Sequence, residues 1–189
     1  VTITVSEERI KILMNDNAYL FEKGGEFHGA EAKDVGSCLA LIELFNRYPS
    51  NKAISFHSSI TRSDNFKSLS EKICELIGIY DLRHFNVSSK ISSGKRSSIV
   101  SEFSKAKKSL ITNARCLTEG IDVPSVDTVI FADPKTSVVD ITQASGRALR
   151  LHEGKEIGLI MIPLIVPENK EFEDYTRETE FRHVARVVT

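Results

Sequence analysis

Tryptophan is absent from this sequence of 189 residues, cysteine occurs 3 times and proline 5 times. Cys38, Cys74 and Cys116 form no CxxC pair and have no histidine at zinc-ligand spacing. That excludes a disulfide framework and a structural metal site, and it fits a reducing compartment, with the cytoplasm as the expected location. Five prolines and 10 glycines exclude collagen-like and low-complexity chains. No apolar run approaches the roughly 18 residues of a membrane span. The longest, over 157–166, is broken by Gly158 and Pro163, so no membrane partner is expected. An excess of either charge is missing too: 25 Lys and Arg stand against 26 Asp and Glu, a net charge of −1. This excludes a globally basic chain but not a locally basic one.

Phosphate-binding loops are also lacking. A P-loop needs a glycine five residues before a Gly-Lys pair, and Ser89 holds that place before Gly94-Lys95. GxGxxG, GxSxG and HExxH do not occur. Any nucleotide this chain meets is therefore bound without a phosphate loop of its own. The chain starts at Val1 with nothing like a secretory signal, which suggests a piece of something longer.

What remains is a globular composition, 41% hydrophobic and 27% charged, with the length of one domain. Residues 1–32 are the least legible, with a short alternating stretch, a possible helix over SEERIKILMNDNAYLF and a turn-rich connector. Beyond them, helical spacing (Leu39, Ile42, Phe45, and later Phe66, Leu69, Ile73) alternates with short β-branched runs: KAISFH, RHFNVS, KSLITNA, VDTVIFAD and IGLIMIPLIV. Ser63, Ser93 and Ser137 are the candidate N-caps, and Gly78 a helix stop. Strands alternating with helices predict an α/β fold, a parallel sheet with helices on both faces in three α/β/α layers. In such sheets functional groups gather beyond the carboxyl ends of the strands. The division expected is 1–32 as an interdomain linker, 33–166 as the domain and 167–189 as a charged amphipathic helix. That helix carries six acids and three bases over 168–182, with Phe172, Tyr175, Phe181 and Val184 on its apolar face.

QASGRALR at 143–150 is the strongest chemical signal. On one helix, Gln143, Arg147 and Arg150 share a face, and Gly146 leaves that face open for close approach. Two guanidiniums brought together favour an anion between them, and a polyphosphate matches their planar forks. The plainer alternative is a solvated arginine face. A second signal is local charge: from Arg83 to Arg115 there are eight basic residues and one acid, Glu102, so this stretch carries +7 and the remainder −8. Ser88, Lys90, Thr112, Asn113 and Arg115 follow or end strands there and can line a phosphate track. Few aromatics accompany them, so base stacking is minor and recognition largely independent of sequence.

LITNARCLTEGIDVPSVDTVIFADP at 110–134, followed by QASGRALR, resembles motifs V and VI of superfamily-two helicases, nearest the branch of restriction-type helicase subunits. AISFHSS resembles motif IV, and HFNVSSKISSGKRSSIVSEF the strand and helix after it. Together the motifs span about residues 52–162. The resemblance implies a RecA-like fold and a missing upstream RecA-like domain that binds most of the ATP and Mg2+. It implies that Arg147 and Arg150 are arginine fingers, the catalytic residues of this half, which neutralise charge on the γ-phosphoryl group. Gln143 then orders the finger helix or contacts the phosphates. Gly120 permits a left-handed turn, and Asp122 accepts from a ribose hydroxyl or holds an arginine, unless it bonds only its own turn. Glu119 departs from the residue usual in DEAD-box members. By the same resemblance His57, Ser58, the segment after Val87 and Thr112 contact the backbone of one nucleic-acid strand, DNA being favoured over RNA. The reading that follows is the second motor domain of an ATP-dependent helicase or translocase, inactive alone. Its rivals are a duplex-translocating restriction-modification motor, a catalytically silent nucleic-acid-binding module and a small-molecule nucleotide-binding domain.

Overall fold

The computed structural model of the chain describes residues 3, 5–114, 126–150, 155–164 and 179–188, apart from the Leu149 side chain. Two short helices, α1 (Glu7–Asp16) and α2 (Ala18–Phe21), precede the long α3 (Ala32–Arg47). Strands and helices then alternate: β1 (Lys52–Phe56), α4 (Ile60–Leu76), β2 (Leu82–Ser88), α5 (Ser93–Lys105), β3 (Lys108–Ala114), β4 (Thr128–Phe131), α6 (Val138–Leu149), β5 (Leu159–Met161) and α7 (Arg182–Val188). The sheet has five strands in the order β2-β3-β1-β4-β5, and every pairing is parallel. This is the expected α/β architecture.

Side-chain alternation on the strands separates two cores. Ala53, Leu110 and Ile130 face Leu41, Phe45, Phe66 and Ile73 of α3 and α4. Ile54, Phe56, Ile111, Val129 and Phe131 point the other way, against Phe103 of α5, Ile141, Ala144 and Ala148 of α6, and Val184 of α7. Helices therefore cover both faces. Ile10, Leu20 and Phe27, from the stretch expected as a linker, join the α3–α4 core.

Local boundaries differ from the sequence reading in instructive ways. The N-cap of α4 is Ser59, whose Oγ accepts from the Arg62 amide at 3.2 Å; Ser63 lies inside the helix. Burial took Ser63 instead, and its hydroxyl accepts from Asn86 Nδ2 of β2 at 2.8 Å. The N-cap of α5 is Ser92, one residue earlier than Ser93. At the end of α4 the glycine stop holds: Gly78 has φ +75°, and the Ile79 amide reaches back to the Cys74 carbonyl at 2.8 Å. Ser137 caps α6, accepting from the Asp140 amide at 3.2 Å. The short strand expected over residues 1–5 lies largely outside the described residues, as does the part up to residue 178 of the charged helix expected over 167–189; of the rest, Arg182–Val188 is helical.

At the amino edge of the sheet a buried carboxylate holds the entry to β1. Asp127 accepts from the Ser50 hydroxyl at 2.6 Å, the Asn51 amide at 2.7 Å and the Lys52 amide at 3.1 Å. Removing it strands the buried Lys52 amide, while exposed Asn51 can turn to water and the Ser50 hydroxyl to Thr128 Oγ1 at 2.6 Å; a buried donor left without its acceptor costs about 1–3 kcal/mol. Asp127→Ala should therefore destabilise the chain by about 2 kcal/mol in urea unfolding, with Asp127→Asn losing less. A loss within about 0.5 kcal/mol would contradict this account.

Candidate functional site at the two ends of the sheet

The parallel register aligns Phe56 with Asn113 and Phe131, and Val87 with Asn113. His57, Ser58, Ser88, Lys90, Asn113 and Asp133 consequently collect at the carboxyl edge. Their availability differs. His57 is buried, its amide bonded to the Asn113 carbonyl at 2.9 Å, its Nε2 paired with Ser55 Oγ at 2.9 Å and its ring 4.9 Å from that of Phe66. Thr112 is fully buried; its hydroxyl accepts from Asn86 Nδ2 at 2.8 Å and donates to the Phe85 carbonyl at 3.4 Å. Asn113 and Ser88 are buried, whereas Ser58 and Lys90 are exposed. Arg115, Gly120 and Asp122 lie outside the described residues.

The geometry adds residues that sequence reasoning passed over. Asp133, just past β4, accepts on Oδ2 from both the Ser58 amide at 2.7 Å and the Ser58 hydroxyl at 2.8 Å. The Arg62 Nε donates to its two oxygens at 2.8 and 2.9 Å. A second carboxylate, Asp34 of α3, stands 3.6 Å from the same guanidinium. Burial alone would raise the Asp133 carboxyl, but the Ser58 donors and Arg62 outweigh it and hold the group below its ordinary value. Asp34 moves the other way, raised by burial more than Arg62 lowers it. A cavity of about 110 Å³ opens beside this cluster, lined in part by Glu26, Phe27, Asp34, Arg62, Asn65 and Phe66. The signal that could have found the pair was positional: an Asp-Pro directly after a central strand, and an arginine in the first turn of the helix after another.

The arginine helix lies elsewhere. α6 starts at the carboxyl edge and runs back to the amino edge, where Lys155 of the β5 approach donates to the Arg150 carbonyl at 2.8 Å. Gln143 is exposed, but Arg147 is only 8% exposed, and Arg150 is the C-cap with φ −64° and ψ 135°. The three side chains thus do not share one continuous helical face, because the helix ends at Leu149. Nothing among the described residues would lie within 4 Å of a Cβ added at Gly146. Among the described residues there is no group of three or more His, Cys, Asp or Glu side chains that could hold a metal ion.

Part of the basic stretch is compensated: Arg83 faces Glu102 at 3.8 Å and Lys108 faces Asp81 at 3.3 Å. Lys90, Lys95, Lys105 and Lys107 are exposed. Cys38 and Cys74 are buried, free thiols raised by that burial, Cys74 to about 11, and so are inert packing groups. Among the described residues no helix is long and apolar enough to cross a membrane.

Comparison with known proteins follows this geometry. Residues 36–152 match the family described as the helicase conserved C-terminal domain. Over 67 residues, 35% of this chain, the sequence is 37% identical to irc3 of Schizosaccharomyces pombe, which bears the name of a mitochondrial ATP-dependent helicase. The structure of the ATP-dependent Type ISP restriction-modification enzyme LlaBIII bound to DNA superposes with a TM-score of 0.72 at 25% identity, over 96% of this chain. Domain 2 of the DEAD-box helicase Mss116p bound to an RNA duplex shares the fold, with a TM-score of 0.55 at 21% identity over 69% of this chain and 49% of that one. This chain spans a small part of the longer relatives, 11% of irc3 and 13% of LlaBIII.

Buried His57 and partly buried His84 lead to an expected acid sensitivity. Burial lowers His57, against the pull of Asp133, and lowers His84, whose Nε2 pairs with Ser70 Oγ at 2.9 Å; both fall to about 4. Their folded values lie below the unfolded 6.5, so the unfolded chain takes up protons first. Stability is complete above about pH 6.5 and is lost as pH falls toward 4, by about 2–3 kcal/mol per histidine at pH 4.5. The Tm of this chain should drop steadily between pH 7 and 4.5, and His84→Gln should remove part of the slope. A flat profile would contradict the assignment.

Proposed function

This chain belongs to the helicase conserved C-terminal domain family, as a RecA-like domain of superfamily-two helicases, and on that premise we propose that it is the second motor domain of an ATP-dependent nucleic-acid helicase or translocase. The observation that supports the reading is α6 itself, which carries exposed Gln143 and largely buried Arg147 on either side of Gly146 and ends on the exposed Arg150 cap, at the end far from the carboxyl-edge turns. ATP, with Mg2+, is held mainly by an upstream RecA-like domain of the same polypeptide. Closure of the two domains brings Arg147 and Arg150 to the γ-phosphate, where permanently charged forks neutralise the charge that spreads over its oxygens in the transition state. Hydrolysis reopens the pair. ATP's preference for the closed arrangement drives the cycle.

At the carboxyl edge the exposed turn at Ser58 and the basic segment with Lys90 follow one strand through its phosphates, with Thr112 and Asn113 shaping the floor from inside. While its O–H donates to Asp133, Ser58 Oγ can accept a hydrogen bond but not donate a second one. Arg115 extends this track, and Gly120 and Asp122 serve the nucleotide side. We favour DNA as the nucleic acid. The likeness to a DNA-bound restriction-modification enzyme over 96% of the chain supports it and also favours a second reading, translocation on duplex without unwinding. The widely separated cysteines support a reducing compartment such as the cytoplasm.

The test is nucleic-acid-stimulated ATP hydrolysis by the full-length protein. Arg147→Ala and Arg150→Ala should each lower kcat by on the order of 10³ or more, the range arginine fingers contribute in related phosphoryl transfer. The Tm should stay within a few degrees of the parent. Unchanged kcat in both variants would refute the finger assignment. A single-stranded track against duplex in the same assay, with strand displacement measured alongside, separates unwinding from translocation alone.

A further inference from the structure

We infer that Arg62 and Asp133 are positioning residues that tie the nucleic-acid-binding turn after β1 to the segment that starts α6, so that strand binding and the arginine helix move together. The inference rests on the motor reading proposed above.

The contacts form a closed ring. Asp133 leaves β4 at the carboxyl edge, its amide 3.4 Å from the Phe56 carbonyl, and is 5% exposed. Its carboxylate takes both donors of Ser58, the amide and the hydroxyl, and the Arg62 Nε. Arg62 in turn stands in the first turn of α4, its amide capped by Ser59. Four hydrogen bonds thus fix Ser58 and Arg62 against one carboxylate just past the neighbouring strand, while Ser59 caps the Arg62 amide. The path from Asp133 to Ser137, the cap of α6, is only four residues, and α6 then spans about 18 Å to its arginine end at 1.5 Å per residue. A shift at either end of α6 must therefore strain or release this ring. The second tie, to Asp34, joins the same guanidinium to the start of α3. Here the Arg62 Nε is shared between both oxygens of Asp133 while Nη2 faces Asp34, and charge-assisted bonds of this kind are stronger than neutral ones.

A direct phosphate contact by Arg62 is the competing account, and charge separates the two. Asp133→Asn removes a negative charge beside the track, so simple electrostatics predicts tighter nucleic-acid binding. A positioning role predicts weaker binding, because the amide cannot accept both the Ser58 donors and Arg62 as the carboxylate does. In the full-length protein, Asp133→Asn and Arg62→Gln should each raise the concentration of single-stranded oligodeoxynucleotide that half-saturates ATPase by about five-fold or more. The double variant should be no worse than the worse single, since both break one ring. The dependence of half-saturation on salt should keep its slope in Arg62→Gln; loss of one phosphate contact would reduce that slope by about 1. Arg62→Lys, which keeps charge but not the fork, should lie with Arg62→Gln.

Tighter half-saturation in Asp133→Asn, multiplying effects in the double variant, or a reduced salt slope overturns the inference while leaving the motor intact. A parent protein whose ATPase ignores nucleic acid overturns both readings at once.

Discussion

β1 is hydrogen-bonded on both sides by parallel neighbours, and that constraint organises the molecule. A parallel strand cannot be reached by a tight turn, so each chain segment leaving a strand must cross a face and re-enter at the amino edge. Both faces are therefore roofed by helices, and the strands can be apolar on both sides: Ile54 and Phe56 serve one core while Ala53 serves the other. The same constraint sorts the polar groups. Everything that leaves a strand emerges at one edge, and everything that enters emerges at the other. Chemistry at the carboxyl edge is thus a consequence of connectivity before any particular side chain is chosen.

The two ends of β4 show how differently a buried carboxylate can be satisfied. Asp127, ahead of the strand, accepts mainly from the backbone amides of Asn51 and Lys52, groups that belong to the rigid entry to β1. Asp133, beyond the strand, accepts from the Ser58 amide and hydroxyl and from the Arg62 guanidinium, groups on an exposed turn and a helix start. Both are satisfied, as buried charges must be. The first arrangement locks the entry to the sheet without a cation. The second adds a charged side chain from the surface, so its geometry depends on where Arg62 stands.

Most of the fold was legible because its signals are local. The run KSLITNA reads as a strand and is one, over Lys108–Ala114, since β-branched and apolar residues between turn formers have few other uses in a buried sheet. Ser137 and Gly78 were legible as helix ends because capping depends on a few adjacent atoms. What failed depends on tertiary context. Ser63 has the right chemistry for a cap, but Asn86 on a strand distant in sequence claimed its hydroxyl, and Ser59 capped the helix a turn earlier. Helical spacing placed Arg147 and Arg150 together, yet periodicity cannot say where a helix stops, and Arg150 falls just past the end. Thr112 and His57 lie at the expected edge with their side chains turned inward, a distinction between position along a strand and face of the sheet that a run of all-buried residues conceals. Asp133 and Arg62 lie 71 residues apart, and no local pattern links them.

The separation of the two ends sets a condition on any coupling between them. Nucleic-acid candidates stand at the carboxyl edge, while Arg150 stands where Lys155 approaches β5 at the amino edge. α6 is the one described element that runs from the Asp133 segment to these arginines. It is pressed to the sheet by Ile141, Ala144 and Ala148, all with no measurable exposure, and the two alanines allow the helix backbone to lie close to the strands. A helix packed in this way moves with its sheet, because a close-packed interior resists gradual deformation. The core of the domain then acts as a lever of fixed length, and adjustment is confined to its two ends: the exposed Arg150 cap and the Ser58–Asp133–Arg62 ring. In the motor reading proposed above, strand binding would reach the arginines by moving that lever as a whole, and the bonds at its ends, more than the packing along it, would set how tightly the two events are linked.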